Sequence, residues 1–138
     1  MFSGAKIALI LGDHLVTYLR DDYAHIPFPG HWDLPGGGRE GEESPEACVL
    51  RETEEEFGLR LPQSRITWKR RYPSMSGEGS FGYFFAAPVT EAEVTTIRFG
   101  DEGQHWAMMG HDAFLEHPQA VPALQLRFGE YLAGAPLP

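Results

Sequence analysis

Residues 51–59, RETEEEFGL, and the nearby stretch at residues 33–43, DLPGGGREGEE, are the most informative part of the sequence. The first stretch places four glutamates within five positions, near the predicted C-terminal end of a helix. Like charges three or four residues apart on a helix repel, and carboxylates in its last turn oppose the helix dipole. Each effect costs only about a few tenths of a kcal/mol, so the fold can tolerate the arrangement. Its presence still calls for an explanation.

Local signals bound this helix on both sides. Ser44 is a favourable N-cap, Pro45 suits the first helical position, and Gly58 suits the position just after the helix. On a helix with about 3.6 residues per turn, Glu52, Glu55 and Glu56 share a sector roughly 100° wide, opposite the apolar side chains. Glu54 falls outside that sector.

The charge around this helix is strongly negative. Residues 37–59 hold eight glutamates against two arginines, a balance of −6. A solvated acidic face is one interpretation. A divalent cation is the other, because it would relieve both the repulsion and the conflict with the helix dipole, and hard cations prefer oxygen ligands.

The rest of the chain predicts an α+β protein, an α/β/α sandwich with a central mixed β-sheet flanked by helices. Loops are predicted at residues 21–31 and 74–80. The predicted strands lie at residues 6–11, 15–20, 32–34, 66–72, 82–87 and 104–109, with further helices at 111–116 and 122–132.

Composition bounds the class of protein. The 138 residues suit a single domain, residues 1–138, with 42% hydrophobic residues. No run of about eighteen apolar residues predicts a membrane span, and we interpret the N-terminal apolar stretch as a strand and not as a signal peptide. The lone Cys48 suits a reducing compartment, which predicts a cytoplasmic protein. A net charge of −9 argues against binding a nucleic-acid polymer, but it allows a small phosphorylated ligand held through a metal ion.

One motif covers both acidic stretches. Gly37, Glu43, Arg51-Glu52, Glu55-Glu56, Gly58 and Leu59 match the pattern G-x5-E-x7-R-E-U-x-E-E-x-G-U, in which U is aliphatic. Eight of its nine specified positions are filled, and Thr53 replaces the aliphatic residue at the ninth. The chain therefore resembles the Nudix hydrolase family, and the resemblance implies the Nudix fold.

The resemblance also implies site residues. Glu52, Glu55 and Glu56 match the family's metal-binding glutamates, the carbonyl of Gly36 matches a further ligand, and the ion implied is Mg²⁺ or Mn²⁺. Gly37, Glu43, Arg51 and Gly58 match structural positions of the motif. The segment at residues 101–104, DEGQ, is similar to a MutT-type segment, which makes Glu102 a candidate metal ligand or general base. The catalytic candidates are Glu52, Glu55 and Glu102, and the general base is either Glu55 or Glu102.

The implied activity is hydrolysis of a pyrophosphate bond in a small nucleoside diphosphate-linked substrate, a (d)NTP or related nucleotide. The alternatives are an ADP-ribose, NDP-sugar or dinucleoside polyphosphate hydrolase, or a nucleotide sensor without catalysis. Asp21 and Gln119 depart from the arginine and asparagine typical of 8-oxoguanine hydrolases, so that specificity is not predicted. The family occurs as monomers and homodimers, and both stay open. Candidate substrate-binding residues are Arg20, Tyr23, Trp32 and Phe81.

Overall fold

The computed structural model describes residues 1–75 and 79–134. Within these ranges seven strands form one sheet: β1 (Phe2–Leu11), β2 (His14–Leu19), β3 (Trp32–Asp33), β4 (Gly36–Gly38), β5 (Trp68–Pro73), β6 (Phe81–Pro88) and β7 (His105–Gly110). The same ranges contain four α-helices: α1 (Pro45–Phe57), α2 (Glu91–Thr95), α3 (His111–Glu116) and α4 (Pro122–Leu132). A short 3-10 turn covers Gln63–Arg65.

The sheet is mixed. Its two central strands, β1 and β6, run parallel, and all the other strand pairs are antiparallel. Strand β1 also pairs with β2 and β4, β2 pairs with β3 and β7, and β5 pairs with β6. This arrangement brings the glycine strand β4 directly beside β1.

Alternate residues of the sheet feed two separate apolar clusters. On one face, Ile7 and Leu9 of β1 belong to a cluster with Val49 and Phe57 of α1. On the other face, a cluster that includes Ala8 packs against helices α3 and α4. Helices therefore cover both faces, and the predicted α/β/α sandwich is confirmed.

Helix α1 has the predicted ends. The Ser44 side chain accepts a hydrogen bond from the Ala47 N–H, and Pro45 is the first helical residue. Gly58 adopts a left-handed conformation with φ 69° and donates its N–H to the Glu54 carbonyl. The buried Thr53 hydroxyl donates to the Val49 carbonyl at 2.8 Å, so the non-aliphatic position of the motif leaves no unpaired polar atom.

The other predicted elements agree with the structure to within a few residues, with two corrections. Residues 36–38 lie outside every predicted strand, yet they form β4, because a backbone without side chains can pair closely with β1. Helix α2 was not predicted, although Thr90 and Glu93 form a capping box at its start. Part of the predicted loop at 74–80, residues 76–78, lies outside the described residues.

None of the helices found in residues 1–75 and 79–134 has the length and apolar character needed to cross a membrane.

Candidate active site

A cleft of about 570 Å³ lies between the acidic face of α1, the glycines of β4 and the loop before β7. Its charged lining consists of six carboxylates and two cations: Glu40, Glu52, Glu55, Glu56, Asp101, Glu102, Lys6 and Arg20. The cleft therefore brings together the predicted glutamates, Gly36, Gly37 and Arg20.

Arg51 connects helix α1 to the loop that precedes it. Its guanidinium bonds both oxygens of Glu43, with Nη2 at 2.7 Å and Nε at 2.9 Å, and it donates to the Gly38 carbonyl at 3.0 Å. The hydrogen bond from Arg51 lowers the pKa of Glu43 to about 2. This geometry holds the loop against the helix, next to the cleft.

The same guanidinium also reaches the carboxylates of the helix. Nη1 of Arg51 lies 3.0 Å from Oε1 of Glu52 and 3.2 Å from Oε2 of Glu55. The Glu52 side chain is mostly buried, whereas 57% of the Glu55 side chain is exposed. Glu54 points away from the cleft and pairs with the exposed Arg60 at 3.0 Å.

Glu56 is the most buried of the three motif carboxylates. Its Oε1 accepts a hydrogen bond from the Gly36 N–H at 3.0 Å. Burial raises the pKa of Glu56 to about 8, against the partial opposition of the Lys6 charge and the Gly36 N–H. Burial also raises the pKa of Glu52; Arg51 opposes this rise, and the charges of Glu55 and Glu102 add to it. The cations around these two carboxyls therefore do not fully offset their burial.

Two glycines allow backbone and carboxylates to approach each other. Gly36 has φ 135°, and a Cβ there would stand 2.1 Å from the Ala5 carbonyl oxygen. At Gly37 a Cβ would stand 2.6 Å from the carboxyl carbon of Glu52. Any side chain at either position would therefore displace β1 or the Glu52 carboxylate.

The loop that carries Glu102 is anchored to the end of β2. The Gln104 side chain donates to the Arg20 carbonyl at 2.9 Å, and the Gly103 N–H donates to Asp21 at 3.1 Å. Glu102 itself lines the cleft, close enough to Glu52 for its charge to raise the pKa of that carboxyl. The Gly and Gln of the DEGQ segment thus position the loop, and its Glu faces the cleft.

Sequence reasoning missed a buried ionic network centred on Asp33. Nζ of Lys6 lies 3.1 Å from both Asp33 oxygens, and Arg20 Nη1 and Tyr18 Oη each donate to Oδ2 at 2.9 Å. Burial opposes ionisation of Asp33, but the Lys6 charge, the Leu34 N–H and Arg20 outweigh it, so the pKa of Asp33 is lowered. A lone lysine in the apolar strand AKIALIL, residues 5–11, is the signal that could have indicated this network.

Lys6 also links this network to the cleft. Its Nζ lies 3.4 Å from the carbonyl oxygen of Gly36, the backbone group predicted as a metal ligand. Lys6 thus holds Asp33 and Gly36 in fixed positions relative to each other.

Three of the predicted substrate residues lie elsewhere. Tyr23 stacks on His25 in an exposed loop, Trp32 packs edge-on against His105, and Phe81 packs edge-on against Tyr83. None of the three lines the cleft or the two smaller cavities beside it. Of the four candidates for substrate binding, Arg20 alone lines the cleft.

The donor set suits a hard divalent cation. Carboxylate oxygens and a backbone carbonyl face one cleft, and the buried Glu56 carboxyl has a neutral N–H as its hydrogen-bond partner there. Within residues 1–75 and 79–134, no three acidic, histidine or cysteine side chains are gathered as a ready metal cluster. Arg51 bonds two of the three motif carboxylates, so a cation would compete with its guanidinium for their oxygens.

A family comparison extends over most of the chain. Residues 4–127 match the model of the NUDIX domain, so the chain belongs to the NUDIX family. This match confirms the predicted class, a Nudix pyrophosphohydrolase. Nudix enzymes in general use divalent metal ions and act on small nucleotides. No match was found among curated protein sequences.

Solved structures share the fold at low identity. A MutT protein from Methanosarcina mazei Go1 is 16% identical over 95% of this chain and 92% of that chain, with a TM-score of 0.74. A C. elegans Ap4A hydrolase is 18% identical over 97% and 99% of the two chains, with a TM-score of 0.65.

A third similar structure belongs to a larger protein. It is a bifunctional NMN adenylyltransferase/ADP ribose pyrophosphatase from Francisella tularensis, complexed with AMP and a Mn ion. The identity is 18% over 96% of this chain, the TM-score is 0.73, and the chain spans 41% of that protein's length. At these identities the likeness establishes the fold and leaves the substrate open.

Proposed function

We propose that this chain hydrolyses a pyrophosphate bond in a small nucleoside diphosphate-linked substrate, a (d)NTP or a related nucleotide, with a bound divalent cation. The observation that carries the proposal is the cleft beside α1, whose lining holds six carboxylates and two cations, with Arg51 paired to Glu52 and Glu55 from behind. Both of the lining cations, Lys6 and Arg20, already pair with Asp33. Such an acidic surface repels a polyphosphate unless it first binds a cation from solution.

The proposed metal ligands are the Glu52, Glu55 and Glu56 carboxylates, the Gly36 carbonyl and Glu102, and the proposed ion is Mg²⁺ or Mn²⁺. When bound, the ion neutralises phosphate charge and lowers the pKa of water. The protein's part is to keep these oxygens at one side of the cleft. Arg51 does so from behind by bonding helix and loop together.

The remaining steps fall to side chains of the cleft. Arg20 is proposed to bind a phosphate oxygen, since it lines the cleft and carries a fixed positive charge. A carboxylate, Glu55 or Glu102, takes a proton from the attacking water; the new P–O bond forms, and the bridging P–O bond breaks to release the leaving phosphate. Glu55 is the more exposed of the motif carboxylates, which leaves it accessible to water and substrate.

A substrate panel tests this proposal. We would measure phosphate or pyrophosphate release from (d)NTPs, ADP-ribose, NDP-sugars and dinucleoside polyphosphates, with Mg²⁺ and with Mn²⁺. We expect turnover of nucleoside triphosphates, loss of turnover in Glu55→Gln and Glu56→Gln, and no change in the control Glu54→Gln. Absence of turnover for every compound, combined with tight binding in calorimetry, would instead identify a nucleotide sensor.

The pH dependence of kcat distinguishes the two candidate bases. Removal of the general base should abolish the acidic limb of the profile, whereas removal of a metal ligand should mainly raise the metal concentration needed. Glu55→Gln and Glu102→Gln are therefore compared at saturating Mg²⁺. A profile unaltered in both variants would exclude both residues as the base.

We further propose that residues 1–138 form one Nudix domain that works in the cytoplasm as a monomer or a homodimer. The supporting observations are the family match over residues 4–127 and the free, buried Cys48, which suits a reducing compartment. Light scattering would decide the oligomeric state.

A further inference from the structure

A second cavity, of about 320 Å³, adjoins the cleft and shares Lys6, Gly37 and Gly38 with it. Its floor contains a row of three glycines on adjacent strands. Gly38 of β4 lies opposite Gly4 of β1, and Gly4 lies opposite Gly82 of β6. Neighbouring strands are about 4.8 Å apart, so the row leaves roughly 10 Å of sheet without side chains.

Arg127 of α4 lines the same cavity and is 6% exposed. Its guanidinium packs 4.7 Å over the ring of Tyr72, the residue opposite Gly82 in the sheet. Nη2 donates to the Pro73 carbonyl at 2.8 Å. An arginine guanidinium has five N–H donors. Within the described ranges, the bond to Pro73 is the only hydrogen bond that the Arg127 guanidinium makes, and no carboxylate lies within 4.0 Å of it.

Among the described residues the other N–H groups of Arg127 have no acceptor, so they are available to acceptors of a ligand that enters the cavity. Burial lowers the pKa of Arg127, although Tyr72 and Glu130 oppose this. The mainly apolar walls of the cavity fit a flat ring better than a second phosphate. Its junction with the cleft at Gly37 and Gly38 places such a ring beside the phosphate-binding region.

We propose that this cavity holds the base of the substrate flat on the glycine row, and that Arg127 selects bases by donating hydrogen bonds to acceptors on the ring edge. The proposal rests on the proposed function, because it concerns the same substrate. A guanine edge offers two neighbouring acceptors, O6 and N7, which suit a guanidinium, whereas adenine offers one acceptor beside an N–H donor. The structure therefore assigns guanine nucleotides as the favoured class and Arg127 as a specificity-determining residue.

Binding of nucleoside monophosphates tests the assignment without requiring hydrolysis. We would titrate GMP, AMP, CMP and UMP into the wild-type protein and into Arg127→Met by calorimetry in the presence of Mg²⁺. We expect GMP to bind roughly 5- to 150-fold more tightly than AMP in the wild type, and this ratio to fall close to one in Arg127→Met. Methionine is a suitable replacement, because an apolar side chain of similar volume is well tolerated in place of a buried charge.

Two further variants complete the experiment. Gly82→Ala adds a methyl group to the row, 3.3 Å from the Gly4 carbonyl oxygen. It should weaken the binding of all four monophosphates to a similar extent. Arg60→Met is the matched control, because Arg60 is exposed and pairs with Glu54 away from both cavities. Melting curves confirm that each variant is folded, and Arg127→Lys replaces Arg127→Met if the latter is not.

Equal wild-type affinity for all four compounds, or a GMP preference that survives in folded Arg127→Met, would overturn the proposal. Failure of the hydrolase proposal would give a different set of results from failure of the base-binding proposal. The substrate panel would then show no turnover, while the base preference in binding and its loss in Arg127→Met would persist.

Discussion

Two buried carboxyl groups beside the cleft, Asp33 and Glu56, respond to burial in opposite ways. Their residues are 2% and 8% exposed, so burial alone would raise the pKa of both. The pKa of Asp33 is nevertheless lowered, because Lys6 and Arg20 lie within 3.1 Å. Glu56 bonds only the Gly36 N–H among the described residues, and its pKa rises to about 8.

The difference between these groups lies in the positive charge that the chain places around each. Asp33 is fully neutralised by its own protein, which indicates a structural role at the base of the cleft. For Glu56 and its neighbour Glu52 the protein's own cations offset burial only in part, even though Arg51 bonds Glu52, so a positively charged ligand would favour the ionised forms of both.

The largest expected effect is on activity. Glu56→Gln should lower kcat/KM at least roughly 100-fold, because loss of groups merely supporting a metal ligand already costs up to about that much. Steady-state assays with Mg²⁺ check this. Glu54→Gln provides the matched control, since Glu54 pairs with Arg60 outside the cleft, and an equal loss in the two variants would contradict the assignment.

The second-largest expected effect is the loss of stability when the Asp33 carboxylate is removed. Asp33→Asn should lower the free energy of unfolding by roughly 3–5 kcal/mol, because it leaves Lys6 and Arg20 partly buried without their counter-charge. Urea denaturation measures the change. A loss below about 1 kcal/mol would show that the network is relaxed by water and contributes little to stability.

Glu56 should also make the stability of the metal-free protein depend on pH. Without metal, Glu56 keeps its proton to about pH 8 in the folded state but only to its ordinary pKa of 4.5 when unfolded. The native state therefore binds more protons across this window, and the free energy of unfolding falls as pH rises from 4.5 towards 8, by up to about 1.4 kcal/mol per pH unit.

Glu56→Gln should remove this slope. In EDTA the variant is expected to be more stable than the wild type near pH 8 and similar to it near pH 4. Urea titrations at several pH values measure both curves. Parallel curves for the two proteins would show that Glu56 is already ionised in the folded, metal-free state.

The smallest effect is the stabilisation by metal. Mg²⁺ or Mn²⁺ at 100 times its Kd should add about 2.7 kcal/mol to the free energy of unfolding. The gain at a given metal concentration should be larger at pH 8 than at pH 6, because Glu56 must lose its proton to become a ligand. Melting temperatures over a metal titration check this, with Glu56→Gln as the variant that should respond least.

Much of the fold and part of the site could be predicted from local signals. Ser44, Pro45 and Gly58 bound α1 as expected, since capping depends on a few adjacent residues. The shared face of Glu52, Glu55 and Glu56 follows from helix periodicity alone, and all three line the cleft. The direction of Glu54 away from the cleft follows from the same periodicity.

Other features depend on contacts between distant parts of the chain. Lys6 and Asp33 are 27 positions apart, and neither residue type by itself indicates a buried ion pair. Strand β4 escaped prediction because glycines have low strand propensity, which the pairing with β1 overrides. Tyr23, Trp32 and Phe81 were proposed from aromatic character, which does not distinguish packing from ligand contact.

The sequence by itself thus determined helix α1, its three co-facial carboxylates and the family of the chain, because these depend on spacing along one element. Tertiary structure decided which carboxylates are neutralised, since the sheet register brings Lys6 and Arg20 to Asp33 and leaves Glu56 without a comparable partner. It also decided that Gly4, Gly38 and Gly82 stand in one row beneath Arg127. Charge compensation and cavity shape depend on distances through space, and these distances exist only once the strands have paired.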